Sequence, residues 1–284
     1  MPNLNGLKNR ISVVANTKKI TNAMELVSAS KLRVIKKEYD NIQNYKNSLE
    51  NTFSDIIDHI SKGELDTLFP VDKSNESELY IIITSDLGLC GSYNSNIINL
   101  ARTRVKENDK LILIGNKGIS QANKLIKNKE NILKSFAEVG NKFSYELASL
   151  IASESFDLYK QSIISKINII YTKFVNNVVQ EAEIKTLFPL EIKTDHKSVH
   201  TEIEFEPSAE EVLKNAIPLY LSSLIYALGA ASKLSEMASR RNAMENATDN
   251  AQEIEQTLIL EYNSTRQGLI TQEITEIVSG ADAT

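Results

Sequence analysis

Residues 4–60 read LNGLKNRISVVANTKKITNAMELVSASKLRVIKKEYDNIQNYKNSLENTFSDIIDHI. The run holds one glycine, Gly6, and no proline. Apolar residues recur at Leu4, Leu7, Ile11 and Val14, then at Ile20, Met24 and Val27. After a polar gap the stripe resumes at Ile35, Tyr39, Ile42, Tyr45, Leu49, Phe53, Ile56 and Ile60. Steps of three and four make a coiled-coil seam. At a rise of about 1.5 Å per residue such a helix reaches roughly 85 Å, too long for an ordinary globule.

A second seam closes the chain. Ser208 followed by Glu211 reads as a capping box. Leu213, Ile217, Leu221, Leu224, Leu228, Ala231, Leu234 and Ala238 then follow, and the pattern resumes at Ala251, Ile254, Leu258, Tyr262, Leu269 and Ile277. Pro218 is expected to kink the first turns or split off a short leading helix, and Gly280 to end it. One long seam cannot bury itself, so two at opposite ends of a chain are expected to bury each other as an antiparallel coiled coil. Small residues at Ser28, Ala29 and Ser30, and at Ala227, Ala230 and Ala231, would let the backbones approach closely. Periodicity alone fits a helical stalk of any function.

The middle alternates strand and helix. Leu79–Thr84, Leu111–Ile114 and Ile167–Phe174 read as strands, with helices near Asn94–Lys106 and Phe143–Gln161. This predicts a small, mainly parallel α/β sheet. Phe69–Ser77 and Lys193–Val199 read as linkers. The domain division is 1–62 for the N-terminal coiled-coil helix, 63–206 for the central α/β domain and 207–284 for the C-terminal coiled-coil helix.

Bulk properties agree. The 284 residues are 6% aromatic, with no Trp, 10 Gly and 5 Pro, which favours helix over an all-β fold. Cys90 is the single cysteine, so no intrachain disulfide forms, which fits a reducing compartment. Met1–Arg10 lacks the apolar core of a secretory signal. Apolar stretches such as Leu79–Ile83 are too short to span a bilayer, so the chain is expected to be soluble or to dock on a membrane protein from the water side. The net charge is −5, yet Lys8, Arg10, Lys18, Lys19, Lys31, Arg33, Lys36 and Lys37 face only one acid, Glu25, between them. That stripe reads either as a surface for an acidic partner or as a solvated helix face.

Little of the chain looks catalytic. The loop Ser85-Asp86-Leu87-Gly88-Leu89-Cys90-Gly91-Ser92-Tyr93-Asn94 follows a strand and opens a helix, where doubly wound folds hold phosphates. It is not G-x-G-x-x-G, no Lys-Ser/Thr pair follows Gly91, and no acid ends the next strand to hold a ribose. Its glycines read as the hinge of a tight turn. Gly115-Asn116-Lys117-Gly118 is an ordinary turn signal. His196 and His200 are four apart but lack a third ligand, and His59 is remote. Cys90 reads as a packed residue, and there is no nucleophile elbow. Catalytic, cofactor and metal sites are therefore all expected to be absent.

Stretches at both ends and in the middle of the chain carry a family resemblance. Residues 11–32, ISVVANTKKITNAMELVSASKL, the loop 85–94, SDLGLCGSYN, and the C-terminal runs 239–244, SRRNAM, 247–250, ATDN, and 265–280, TRQGLITQEITEIVSG, resemble the gamma subunit of F-type ATP synthases, in that family's order and over the whole chain. Departures are Leu87 where Arg is usual, Ser92-Tyr93 where Gly-Leu or Gly-Ser is usual, and Arg241 and Asn242 where apolar or small residues are common.

The resemblance implies an α/β protein. A long antiparallel coiled coil of the terminal helices would carry a small Rossmann-like domain. It also implies a non-catalytic, single-copy shaft inside a ring of alpha and beta subunits. Its central domain would grip the membrane c-subunit ring and epsilon, with delta in the same complex and no nucleic acid. Lys18, Lys19 and Met24 fall where the family faces an acidic lever of the beta subunit, and Arg240 opposite that region. Arg266 and Gln267 match a pair that hydrogen-bonds a beta-subunit loop. Leu269–Val278 would turn in a hydrophobic collar, and Glu206, beside Phe205, matches an acid near the c ring. The implied location is the cytoplasmic face of the cell membrane, as a peripheral protein of a bacterial-type complex.

Other readings are a nucleotide-binding enzyme, a nucleic-acid-binding stalk, and a rotor of a specialised complex that only hydrolyses ATP. A missing P-loop lysine opposes the first. Overall acidity and the lack of interleaved aromatics oppose the second.

Overall fold

The computed structural model describes residues 4–58, 76–140, 142–190, 206 and 208–282. The two expected linkers lie wholly or mostly outside them. So do Ile60, His59, His196, His200, Phe205 and Pro207. In chain order the elements are α1 (Leu4–Asp58), β1 (Glu78–Ile83), α2 (Tyr93–Arg104), β2 (Lys110–Ile114) and α3 (Asn116–Ser120). They continue with β3 (Ile132–Phe136), α4 (Tyr145–Lys160), β4 (Lys166–Phe174), β5 (Gln180–Phe188) and α5 (Ala209–Asp282). Two compact units result. One joins Met1–Ala29 to Arg240–Thr284; the other is Ser30–Ser239.

The second unit is built on a five-stranded sheet of order β3-β2-β1-β4-β5. Its first four strands run parallel, and β5 pairs antiparallel with β4. β1 and β2 are continuous apolar runs because helices cover both faces. Tyr80, Ile82, Leu111, Leu113 and Ile170 pack on Ile97, Ile98 and Ala101 of α2. Leu79, Ile81, Ile83, Ile112, Ile167 and Ile169 pack on the other side, against Ile151, Ala152 and Phe156 of α4. Phe53 and Ile57 of α1 and Leu213–Ala231 of α5 join that cluster.

β3 and β5, the two edge strands, were not expected from sequence. β5 reads QEAEIKTLF, and its two glutamates and one lysine serve an exposed edge. Glu183 accepts from the Tyr171 hydroxyl at 3.1 Å and faces Lys173 at 3.6 Å. Charge on an edge strand blocks pairing with other chains.

Within this unit α1 and α5 run antiparallel. Leu32 and Ile35 meet Leu234, Met237 and Ala238. Ile42 packs on Ala227 and Ala230, where small residues give it room. Phe53 stacks flat on Tyr220, with ring centres 4.2 Å apart. That stack and Glu50 accompany a Tyr220 phenol pushed up to about 12, chiefly by burial. Pro218 does not split the helix: α5 is continuous from Ala209. The Ser222 hydroxyl donates to the Pro218 carbonyl at 2.6 Å, one turn back. The expected cap is present, since the Glu211 N–H donates to the Ser208 hydroxyl at 3.3 Å. Gly280 does not end the helix either, which reaches Asp282. An 18-residue window of α5 is long and apolar enough to cross a membrane, but 78% of it is buried inside the protein.

The first unit is a two-helix seam. On α1 the inward positions include Leu4, Leu7, Ile11, Val14, Lys18, Thr21, Glu25 and Ser28, spaced by alternating threes and fours, with Ala15 and Met24 half-buried beside them. On α5 they are Met244, Ala251, Glu255, Leu258, Tyr262, Thr265 and Leu269. The expectation that Ile20, Val27, Ile254 and Ile277 belong to the seam is corrected. They are 61%, 54%, 50% and 71% exposed. Polar residues take the inward places instead, and they pair. Lys18 meets Glu255 at 2.5 Å, and the Thr21 and Thr248 hydroxyls meet at 2.8 Å.

Gly229 lies mid-helix in α5, and a Cβ there would sit 2.5 Å from the Phe143 ring. Helix propensity favours alanine over glycine by about 1 kcal/mol. Overpacking a ring costs about 1–3 kcal/mol. Gly229→Ala is therefore expected to destabilise the chain in chemical denaturation, and Phe143→Leu added to it should recover part of the loss.

Candidate functional site

Functional geometry concentrates at the C-terminal ends of the strands, where doubly wound sheets bind ligands. Thr84 ends β1. Its hydroxyl donates to the Ile114 carbonyl and accepts the Gly118 N–H, both at 2.8 Å. A Cβ on Gly115, whose φ is +92°, would lie 2.3 Å from the Thr84 carbonyl oxygen, so only glycine fits.

The loop after β1 turns its polar atoms on itself. The Ser85 N–H donates to Asn94 Oδ1 at 3.0 Å, and the Ser85 hydroxyl donates to the Leu87 carbonyl at 2.6 Å. Asn94 Nδ2 donates to Ser85 Oγ at 2.7 Å and reaches Cys90 Sγ at 3.1 Å. Cys90 is buried. Gly91, at φ +56°, bends the chain into α2. These bonds give the glycine-containing signature a structural purpose: it folds a tight strand-to-helix turn.

Asp86 gathers the neighbouring loops. Its Oδ1 accepts the N–H of Asn116, after β2, at 3.2 Å and that of Glu138, after β3, at 3.0 Å. Its Oδ2 faces Lys233 Nζ of α5 at 3.9 Å. Lys233 also meets Glu236 at 3.2 Å.

The chain order of the strands reverses between β1 and β4, the usual crevice for a nucleotide. Here α5 reaches it. Ser232 accepts the Thr172 N–H at 3.2 Å and bonds the Tyr93 hydroxyl at 2.8 Å. The Ser235 hydroxyl donates to the Thr172 carbonyl at 3.1 Å. Ser239 reaches Gln180 at 2.9 Å. Burial raises the Tyr93 phenol well above its ordinary value, with Glu236 adding to the rise, so it stays neutral. Among the described residues no group of three or more His, Cys, Asp or Glu could hold a metal ion.

The residues singled out from sequence fall in different surroundings. Lys18 is partly buried in its pair with Glu255, Lys19 is exposed, and Met24 is half-buried. Arg240 is buried, at 7% exposure. Arg266 and Gln267 are both exposed on adjacent positions of α5. Leu269 is half-buried, while Ile270, Ile274, Ile277 and Val278 are exposed. Glu206 is exposed. Sequence reading passed over Ser232, Lys233, Ser235 and Glu236. The available signal was polar residues interrupting an otherwise apolar helix.

A five-stranded sheet packed by one face on α4 and the paired terminal helices, with α5 side chains in its ligand crevice, defines an α/β domain built around a helix pair. Residues 3–284 match the ATP synthase family. The ATP synthase gamma chain of Mycoplasmopsis synoviae is 51% identical over the full length of both chains. That of Clostridium acetobutylicum is 38% identical over 98% of this chain and 96% of its own. The central stalk of the Tetrahymena thermophila mitochondrial ATP synthase aligns with 27% identity and a TM-score of 0.57, covering 80% of this chain and 99% of that one. A chain of the Euglena gracilis mitochondrial ATP synthase shares the fold, at 17% identity and a TM-score of 0.59, over 92% of this chain and 95% of that one. The chain belongs to the ATP synthase gamma-chain family.

Ser232 is the hub of the crevice contacts. Ser232→Ala leaves the buried Thr172 N–H and Tyr93 hydroxyl without that partner, a loss of about 1–3 kcal/mol. Hydrogen exchange at the Thr172 amide should quicken, while that of the β1–β2 ladder changes less.

Proposed function

We propose that this chain is the central rotor shaft of an F-type ATP synthase. It couples ion flow through a membrane c ring to the conformational cycle of alpha and beta subunits. The carrying observation is the pairing of the two terminal helices, found in a chain that matches gamma chains end to end. A single asymmetric shaft presents a different surface to each of several equivalent catalytic subunits. Each is thereby held in a different state, and turning the shaft exchanges the states. This is coupling by differential contact. The chain contributes no catalytic group; its crevice is taken by α5 side chains.

In this reading Lys19, exposed on α1, faces an acidic surface of the beta subunit, together with Lys18 and Met24 at their accessible edges. Arg240 supports the opposite side from within. Arg266 and Gln267 hydrogen-bond a beta-subunit loop, and the exposed apolar residues beyond them turn in a hydrophobic collar. Glu206 lies on the domain that meets the c ring, with epsilon and delta completing the complex. The protein works at the cytoplasmic face of the cell membrane as a peripheral subunit. A rotor restricted to hydrolysis is the less favoured reading, because the curated relatives are named as synthase chains.

Purification of the complex through a tag on this chain tests the proposal: alpha, beta, delta, epsilon and c subunits should be recovered together. Recovery of alpha and beta with unrelated proteins instead would overturn the synthase reading. Within that complex, Arg266→Ala with Gln267→Ala should lower ATP turnover roughly tenfold, equivalent to about 1.4 kcal/mol. Assembly should persist. Unchanged turnover would remove their assigned role.

A further inference from the structure

We propose that Lys233, Asp86 and Glu236 form a charged clasp that fixes the rotational position of the α/β domain on helix α5, making Lys233 a positioning residue for torque transfer. This rests on the rotor reading.

The observations lie within one compact unit. α5 meets the sheet through leucine, isoleucine and alanine side chains. Such contact is non-directional, so it resists separation of helix and sheet far better than it resists turning or sliding between them. Resistance to turning needs directional contacts at fixed points. Lys233 supplies a charged one, buried on α5. Its side chain is 3% exposed, its ammonium stands 3.9 Å from Asp86 Oδ2, and Glu236 Oε2 lies 3.2 Å away on the same helix. Turning the helix would part the buried ammonium from Asp86 and leave it only the Glu236 carboxylate of its own helix, which is unfavourable for a buried charge cluster.

The other end of the clasp is spread over the sheet. Asp86 follows β1, and its second oxygen holds the N–H groups of Asn116 and Glu138, at the ends of β2 and β3. Force on Lys233 therefore reaches three strand ends through one carboxylate. Glu236 fixes the direction of the lysine from α5 itself and is 4% exposed. The serines Ser232 and Ser235 grip β4 from the adjoining positions. Neutral hydroxyl contacts can exchange partners as the helix turns. The Lys233–Asp86 pair is lost when the helix turns, leaving the lysine only Glu236 beside it on α5.

The test uses the whole membrane complex reconstituted in vesicles, with ATP turnover and ion pumping measured together. Lys233→Met keeps the stem and removes the charge; Lys233→Arg keeps a cation. Asp86→Asn keeps an oxygen for the two backbone N–H groups and removes only the negative charge. We expect Lys233→Met and Asp86→Asn each to lower ions pumped per ATP several-fold while ATP turnover stays near wild type. Lys233→Arg should retain coupling. The double variant should be no worse than either single one, because both break one interaction.

Wild-type pumping per ATP in Lys233→Met or Asp86→Asn would overturn the clasp. So would Lys233→Arg proving worse than Lys233→Met, the order expected of a residue that only fills space. If Lys233→Met fails to assemble, the milder Asp86→Asn decides. A wild-type complex that hydrolyses ATP without pumping would instead sink the rotor reading.

Discussion

Between Leu221 and Ala238 every residue of α5 except Tyr226 is buried. A helix covered on all sides is a severe constraint. It has no polar face, so a polar group on it needs a partner within the protein; the buried Ser223 hydroxyl is an exception and has none. The sheet, α1 and α4 are arranged around this stretch. Its alanines decide how closely α1 approaches, Gly229 decides where the Phe143 ring lies, and its leucines close the core over β1 and β4.

The same constraint explains the polar residues of α5. Ser222 turns back on its own helix, whereas Ser232, Ser235 and Ser239 bond to β4 and β5. Those contacts occupy the crevice that a doubly wound sheet normally offers to a cofactor. A fold associated with nucleotide binding is thus turned into a mounting for a helix. The glycine-containing loop after β1 belongs to the same change. Its donors close the turn, and its aspartate ties loops together.

Much of this was legible in the sequence, for definite physical reasons. α1 and α5 were visible because helical period persists over many turns, and β1, β2 and β4 because strands buried on both faces are continuously apolar. β3 and β5 were not visible, since edge strands need polar residues and so resemble loops. The seam of the first unit was misread at Ile20 and Val27 because counting only apolar residues hides inward-facing Lys18, Thr21 and Ser28. Pro218 was overweighted: a proline near the start of a long, well-packed helix loses one backbone bond but not the helix. The role of Asp86 was beyond sequence reading, because its partners Asn116, Glu138 and Lys233 come from distant parts of the chain.

The ion pair in the first unit makes a vernier of two otherwise repetitive helices. Seven-residue repeats look alike after each step, so an apolar seam alone would tolerate slippage by whole repeats. With Lys18 set against Glu255, moving α1 by one repeat would bring Glu255 against either Ile11 or Glu25. One misalignment strands a charge on hydrocarbon, and the other opposes two like charges. The ion pair therefore favours one register of the two helices over the registers a whole repeat away.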